Sequence, residues 1–151
     1  MSDYVRGLRQ KVGHELLLMP SVAALVRDDE GRILLVQHVE GRWQLPGGAV
    51  EPGEHPADAC RRECFEEARV EIETVRVLDV FGGPGFALTY ANGDESAYVV
   101  TVYEARVVAG EPAAGDDETQ DAAWFTRDEL EALTMLDGVR TILRELLPRA
   151  S

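Results

Sequence analysis

Apolar and polar positions alternate in different rhythms along this chain, and each rhythm predicts an element. Residues 3–13 place Tyr4, Val5, Leu8 and Val12 roughly on one side, the spacing of a short amphipathic helix. Residues 16–27 (LLLMPSVAALVR) are apolar nearly throughout and read as a strand interrupted at Pro20. A turn at 28–31 (DDEG) leads to a second apolar strand, RILLVQHV at 32–39, and the two strands together read as a hairpin. The glycine- and proline-rich stretch 41–54 then predicts a shaped loop.

A helix should follow. Pro56 suits its first position, and the charge of Asp58 suits its first turn. Ala57, Cys60, Cys64 and Ala68 recur every three or four residues with Phe65 beside them, a core-facing stripe of small side chains. Residues 70–81 and 95–108 are rich in Val, Ile, Thr and Tyr and predict strands. Between them, 82–94 predicts a long loop or ribbon turning at Asn92-Gly93. An acidic loop at 115–121 precedes a short strand, AAWF. Thr126 with Glu129 three residues on has the pattern of a capping box, and 137–147 predicts a last helix. Strands and helices mix without strict alternation, so the expected class is α+β, with a mixed sheet covered by helices.

Composition narrows the function classes. The 151 residues predict one domain, 1–151, whose core runs from about 16 to 147 behind the short N-terminal helix. A net charge of −13 repels phosphate backbones, which argues against duplex nucleic acid as a partner. An anionic substrate would need arginines or a metal to reach such a surface. Cys60 and Cys64 lie one helical turn apart, poor geometry for a disulfide, and read as packing residues. The N-terminal residues lack the apolar segment of a signal peptide, and no apolar run is long enough to span a bilayer. The expectation is a soluble cytoplasmic protein with no membrane partner.

Charge is concentrated in RRECFEEARV, residues 61–70. Glu63, Glu66 and Glu67 stand at helical spacings that project all three from one face. Like charges so placed disfavour the helix by a few tenths of a kcal/mol per pair, roughly, and a merely solvated face would more often interleave lysines. Upstream, Gly48 is followed by five residues and Glu54, then by seven residues and Arg62-Glu63. Cys64, Phe65, Glu66-Glu67, Ala68, Arg69 and Val70 complete the run, with WQLPGG leading into it. This resembles the Nudix box at every defining position except the last glycine, which is Arg69 here. The likeness extends loosely over residues 21–134.

The resemblance implies a Nudix-like α/β/α sandwich and a pyrophosphohydrolase that uses Mg²⁺, with Mn²⁺ as substitute. Its substrate would be a nucleoside diphosphate linked to another moiety: ADP-ribose, a nucleotide sugar or a (d)NTP. Physical chemistry agrees, because divalent cations neutralise phosphate charge and Mg²⁺ prefers carboxylate oxygens. By the resemblance, Glu63, Glu66, Glu67 and the Gly48 carbonyl are the metal ligands, and Arg62 with Glu54 ties loop to helix. Read apart from the box, Arg62 could instead form an exposed pair with Glu66. The resemblance makes Glu118 the first candidate for general base, with Asp116, Asp117, Asp121 and a base from the box itself competing; read apart from it, 115–121 is an ordinary acidic surface loop.

Among aromatic residues Tyr90, Phe86, Tyr98 and Trp43 could stack on a base, against core packing as the commoner role. TYANGDESAYV (89–99) resembles a segment of a bacterial Nudix subgroup whose equivalent turn lies near the substrate, which implies Tyr90, Asn92 and Asp94 there. Arg42 and His38 flank the WQLPGG entry and are expected to reach phosphate or base, against a structural role for His38. Family members are commonly dimers, which extends the expectation to a homodimer without locating its interface. The competing class is a Nudix-fold nucleotide-binding or regulatory module with impaired catalysis, which Arg69 could support. The substitution removes no carboxylate, so activity is expected to survive and Arg69→Gly to change the rate little.

Overall fold

The computed structural model describes residues 2–147. Helix α1 (Asp3–Val12) is capped by the Ser2 hydroxyl, which accepts from Val5 N–H at 3.2 Å. Val5, Leu8 and Val12 are half-buried, whereas Tyr4 faces solvent.

Strand β1 (Leu17–Val26) is apolar in succession because its inner half is buried on both faces. Val22, Ala24 and Val26 join one core, while Ala23 and Leu25 join another on the opposite side. Such a strand needs partners on both edges. It runs antiparallel to β4 (Gly47–Ala49) and parallel to β7 (Glu95–Ala109). β2 (Ile33–His38) divides its side chains between the same two cores, but in a second sheet, between β3 (Trp43–Gln44) and β8 (Thr119–Phe125).

The expected β1–β2 hairpin therefore does not form as such. The two strands meet at the Arg27–Ile33 bridge and then diverge, because each has a buried partner elsewhere. β1 also runs through Pro20, which faces Val99 and accepts from Val50 N–H at 3.1 Å. The loop at 41–54 contains β3 and β4, and β8 begins inside the expected acidic loop, at Thr119.

The larger sheet runs β4-β1-β7-β5, with β5 spanning Glu71–Phe81, and β6 (Ala87–Thr89) pairs with β7 across the Asn92-Gly93 turn. Helix α2 (Pro56–Ala68) covers one side through Ala59, Cys60, Cys64 and Ala68, all fully buried. Phe65, expected beside that stripe, is 46% exposed. The other side is closed by α3 (Arg127–Leu130), which begins with the expected Thr126/Glu129 capping box, and by α4 (Asp137–Leu146). Leu130, Ile142 and Leu143 pack there on Leu25, Ile33 and Leu35. The result is an α/β/α sandwich with a mixed sheet. Among the described residues, no helix is long and apolar enough to cross a membrane.

Candidate active site

Helix α2 and the loop before it fit together with little room. His55 Nδ1 accepts from Ala57 N–H at 3.1 Å and starts the helix against Pro56. One turn before its end, the helix brings Glu63 against the backbone of Gly48. A Cβ at position 48 would lie 2.5 Å from Glu63 Oε1, so any side chain there would displace the Glu63 carboxylate. The Gly48 carbonyl accepts from Ser21 Oγ at 2.9 Å, and Glu67 Oε1 accepts from Gly47 N–H at 2.8 Å.

Arg62 joins the pieces. Its guanidinium grips Glu54 bidentately at 2.9 and 3.0 Å, donates to the Ala49 carbonyl at 3.1 Å and reaches Glu63 Oε1 at 2.9 Å. The exposed pairing with Glu66 is also present but longer, at 3.3 Å. This bidentate hold keeps the Glu54 carboxyl below its usual range and raises the Arg62 value.

Glu63 and Glu67 are pushed the other way. Burial moves Glu67 up to about 8, with the Gly47 amide opposing and Glu63, Asp116 and Glu118 adding to the rise. Burial moves Glu63 up to about 7, with Arg62 opposing and Glu66 and Asp116 adding. Carboxylates crowded out of water in this way attract positive charge. The donors are oxygens, which suits a hard divalent cation. They do not yet converge: among the described residues, no three His, Cys, Asp or Glu side chains are arranged to hold a metal ion by themselves. Arg62 and the Gly47 amide occupy the carboxylates instead.

These groups line one wall of a cleft of about 920 Å³. Arg42, Tyr90, Asn92, Asp94 and His38 line it too, as do Asp116, Asp117 and Glu118. Asp121 does not line it; it lies on β8 opposite Gln37. Phe86 and Tyr98 face the cleft, whereas Trp43 packs edge-on against Phe125 in the core. The Tyr90 and Tyr98 hydroxyls are hydrogen-bonded to each other, and burial followed by that bond raises the Tyr90 value. Arg42 pairs with Glu40 at 2.6 Å.

Asp94 is engaged from several sides. Its carboxylate meets His14 at 2.7 Å, Asn92 at 3.2 Å and Arg9 at 3.6 Å. Arg9 also donates to the carbonyls of Glu15 (2.6 Å) and Glu95 (2.7 Å) and to Ser96 Oγ (3.0 Å). With Ser2 and Val5 it makes α1 part of the cleft wall. Sequence reasoning missed Arg9 and Ser21. Their partners lie far along the chain, and no local pattern marks them.

Arg69 closes the helix in the left-handed conformation, φ 58° and ψ 27°, alone among the described non-glycine residues in having positive φ. That costs an L residue roughly 1–2 kcal/mol.

A sequence model described as NUDIX domain matches residues 17–149. Nucleoside triphosphatase NudI of Enterobacter sp. (strain 638) is 36% identical over 103 residues, 66% of this chain and 72% of that protein. The MutT NUDIX hydrolase from Burkholderia pseudomallei superposes with a TM-score of 0.71 at 31% identity, over 87% of this chain and 98% of that one. An ADP-ribose pyrophosphatase from Streptococcus suis 89-1591 shares the fold, with a TM-score of 0.64 at 23% identity over 85% and 86% of the two chains. An α/β/α sandwich with a glutamate-bearing helix set against a glycine loop is thus a hydrolase scaffold. The chain belongs to the Nudix family and is a Nudix hydrolase. Helix α1 precedes the matched residues.

Proposed function

We propose that this chain, acting as a single domain, hydrolyses a pyrophosphate bond in a nucleoside diphosphate linked to another moiety, with Mg²⁺ bound and Mn²⁺ able to replace it. The observation that carries the reading is the pair of buried carboxylates, Glu63 and Glu67, on one wall of the cleft. Its other walls hold Arg42, tyrosines and an acidic turn. A volume near 920 Å³ is at the upper end for small-ligand sites, which suits a nucleotide with a second group attached.

Glu63, Glu66, Glu67 and the Gly48 carbonyl would hold the cation, which when bound neutralises phosphate charge and activates water. Arg62 positions these groups by fixing the loop to α2 through Glu54. A carboxylate oxygen of Glu118 would accept the proton of the attacking water, with Asp116 and Asp117 flanking it. Arg42 would meet phosphate, and Tyr90 the nucleoside end. Asn92 and Asp94 would shape the wall there, since each is bonded to the other.

The substrate belongs to the ADP-ribose, nucleotide-sugar or (d)NTP class, and the similarity to a nucleoside triphosphatase makes (d)NTPs the first compounds to assay. The test is hydrolysis of a nucleotide panel with Mg²⁺, Mn²⁺ or EDTA, with products identified. A nucleotide and a second phosphate-bearing or pyrophosphate product should form with metal and not with EDTA. Failure to release any product from the whole panel would overturn the reading.

A further inference from the structure

The acidic turn at 116–118 has to lie close to Glu63 and Glu67, although all five side chains are acidic. Something must hold it against that repulsion. The segment before it caps α2: Ala113 N–H donates to the Ala68 carbonyl and Gly115 N–H to the Glu67 carbonyl, each at 3.0 Å. The fit leaves no space, since a Cβ on Gly115 would run into the Glu66 carbonyl and one on Gly110 would lie 2.7 Å from the Arg69 carbonyl.

Arg69 completes this junction. Its backbone N–H bonds the Phe65 carbonyl at 3.1 Å, closing the helix. Its side chain then lies over the Phe65 ring, 5.2 Å from the centroid, and donates to the Gly115 carbonyl. Gly115 is thus held through both its N–H and its C=O, one residue before Asp116. From there the turn is fixed by Glu118 N–H on Asp116 Oδ1 (3.1 Å) and Val39 N–H on the Glu118 carbonyl (2.9 Å). A glycine at position 69 would relieve the left-handed backbone but could supply neither the cation nor the ring contact. Phe65, exposed and off the core stripe, has its explanation here as the platform for Arg69.

We propose that Arg69 is a positioning residue whose guanidinium clamps Gly115 and so holds the 116–118 turn over the carboxylate pair. The inference rests on the hydrolase reading above for its effect on rate, but not for its effect on the loop.

Three variants test it: Arg69→Gly, Arg69→Ala and Arg69→Lys. Amide hydrogen exchange reads the clamp without any substrate. Gly115 N–H should exchange about tenfold faster in the glycine and alanine variants, with α2 interior amides unchanged and lysine intermediate. Against the expectation from sequence, which did not include the Gly115 contact, Arg69→Gly should lose about tenfold in kcat while the melting temperature holds or rises and KM stays within about twofold. A merely structural role would lower both together. Arg69→Lys should recover part of kcat. Wild-type exchange at Gly115 in Arg69→Gly would overturn the clamp, and a wild-type kcat with fast exchange would overturn its role in the reaction. A wild-type protein inert toward every nucleotide would sink the hydrolase reading and the rate effect with it, while exchange still decides for or against the clamp.

Discussion

Glu67 shows the structural penalty that a single side chain carries in the proposed site. It is 8% exposed, its carboxyl is raised to about 8, and it accepts from the Gly47 amide. Replacing it with glutamine keeps the shape and an acceptor for Gly47 but removes the charge. Glu67→Gln should therefore abolish metal-dependent turnover and, at pH 8 without metal, melt a few degrees above the wild type; about 1 kcal/mol is worth roughly 2–4 °C in a domain of this size. Kinetics and a thermal melt on the same preparation check both halves. Near-wild-type turnover would remove Glu67 from the ligand set. Charged residues at fixed spacing were the part of the site most open to sequence reasoning, because Gly48, Glu54, Arg62, Glu63 and Glu67 lie on one loop and one helix. Arg69 was visible as a departure, but its partner Gly115 was not. Sequence spacing located the backbone problem at the helix end and missed the side-chain contact across 46 residues.

At the scale of elements, local patterns identified most helices and strands, and partners decided the rest. The capping box at Thr126 formed as expected because it needs only neighbours in sequence. The β1–β2 hairpin failed because residues 22–26 and 33–36 are buried on both faces, which a two-stranded hairpin cannot supply. Helix α1 is the clearest case of an element whose role is set at a distance. Its sequence shows an amphipathic face and nothing of Arg9 reaching Asp94, Glu95 and Ser96. Arg9→Ala removes those bonds together with the ones to Gly13 and Glu15, and leaves Asp94 to His14 and Asn92. With α1 loosened from the cleft wall, KM should rise about three- to tenfold and kcat should change little, the sign of lost binding common to ground and transition states. Steady-state kinetics on the preferred nucleotide decide it; an unchanged KM would show that α1 does not touch the substrate.

For the whole molecule, a net charge of −13 and two carboxyls raised by burial act in the same direction. An unfolded glutamate ionises near 4.5, whereas folded Glu63 and Glu67 ionise near 7 and 8. Between those limits the folded chain binds more protons than the unfolded one, so stability falls as pH rises. Glu54, lowered by Arg62, has the opposite sign, but its contribution is lost only as pH falls below about 4.5 and does not offset the trend at neutral pH. The metal-free protein should accordingly melt highest near pH 5 and progressively lower toward pH 8. A cation held by these carboxylates, as proposed, would displace their protons, so its stabilising effect should run the other way. Adding Mg²⁺ should raise the melting temperature little at pH 5 and most at pH 8, and Glu67→Gln should flatten both curves. Melts across this pH range with EDTA or Mg²⁺ measure it directly. A metal-free profile that rises from pH 5 to pH 8 would show that burial does not raise these two carboxyls, and a Mg²⁺ increment independent of pH would mean that they are not where the cation binds.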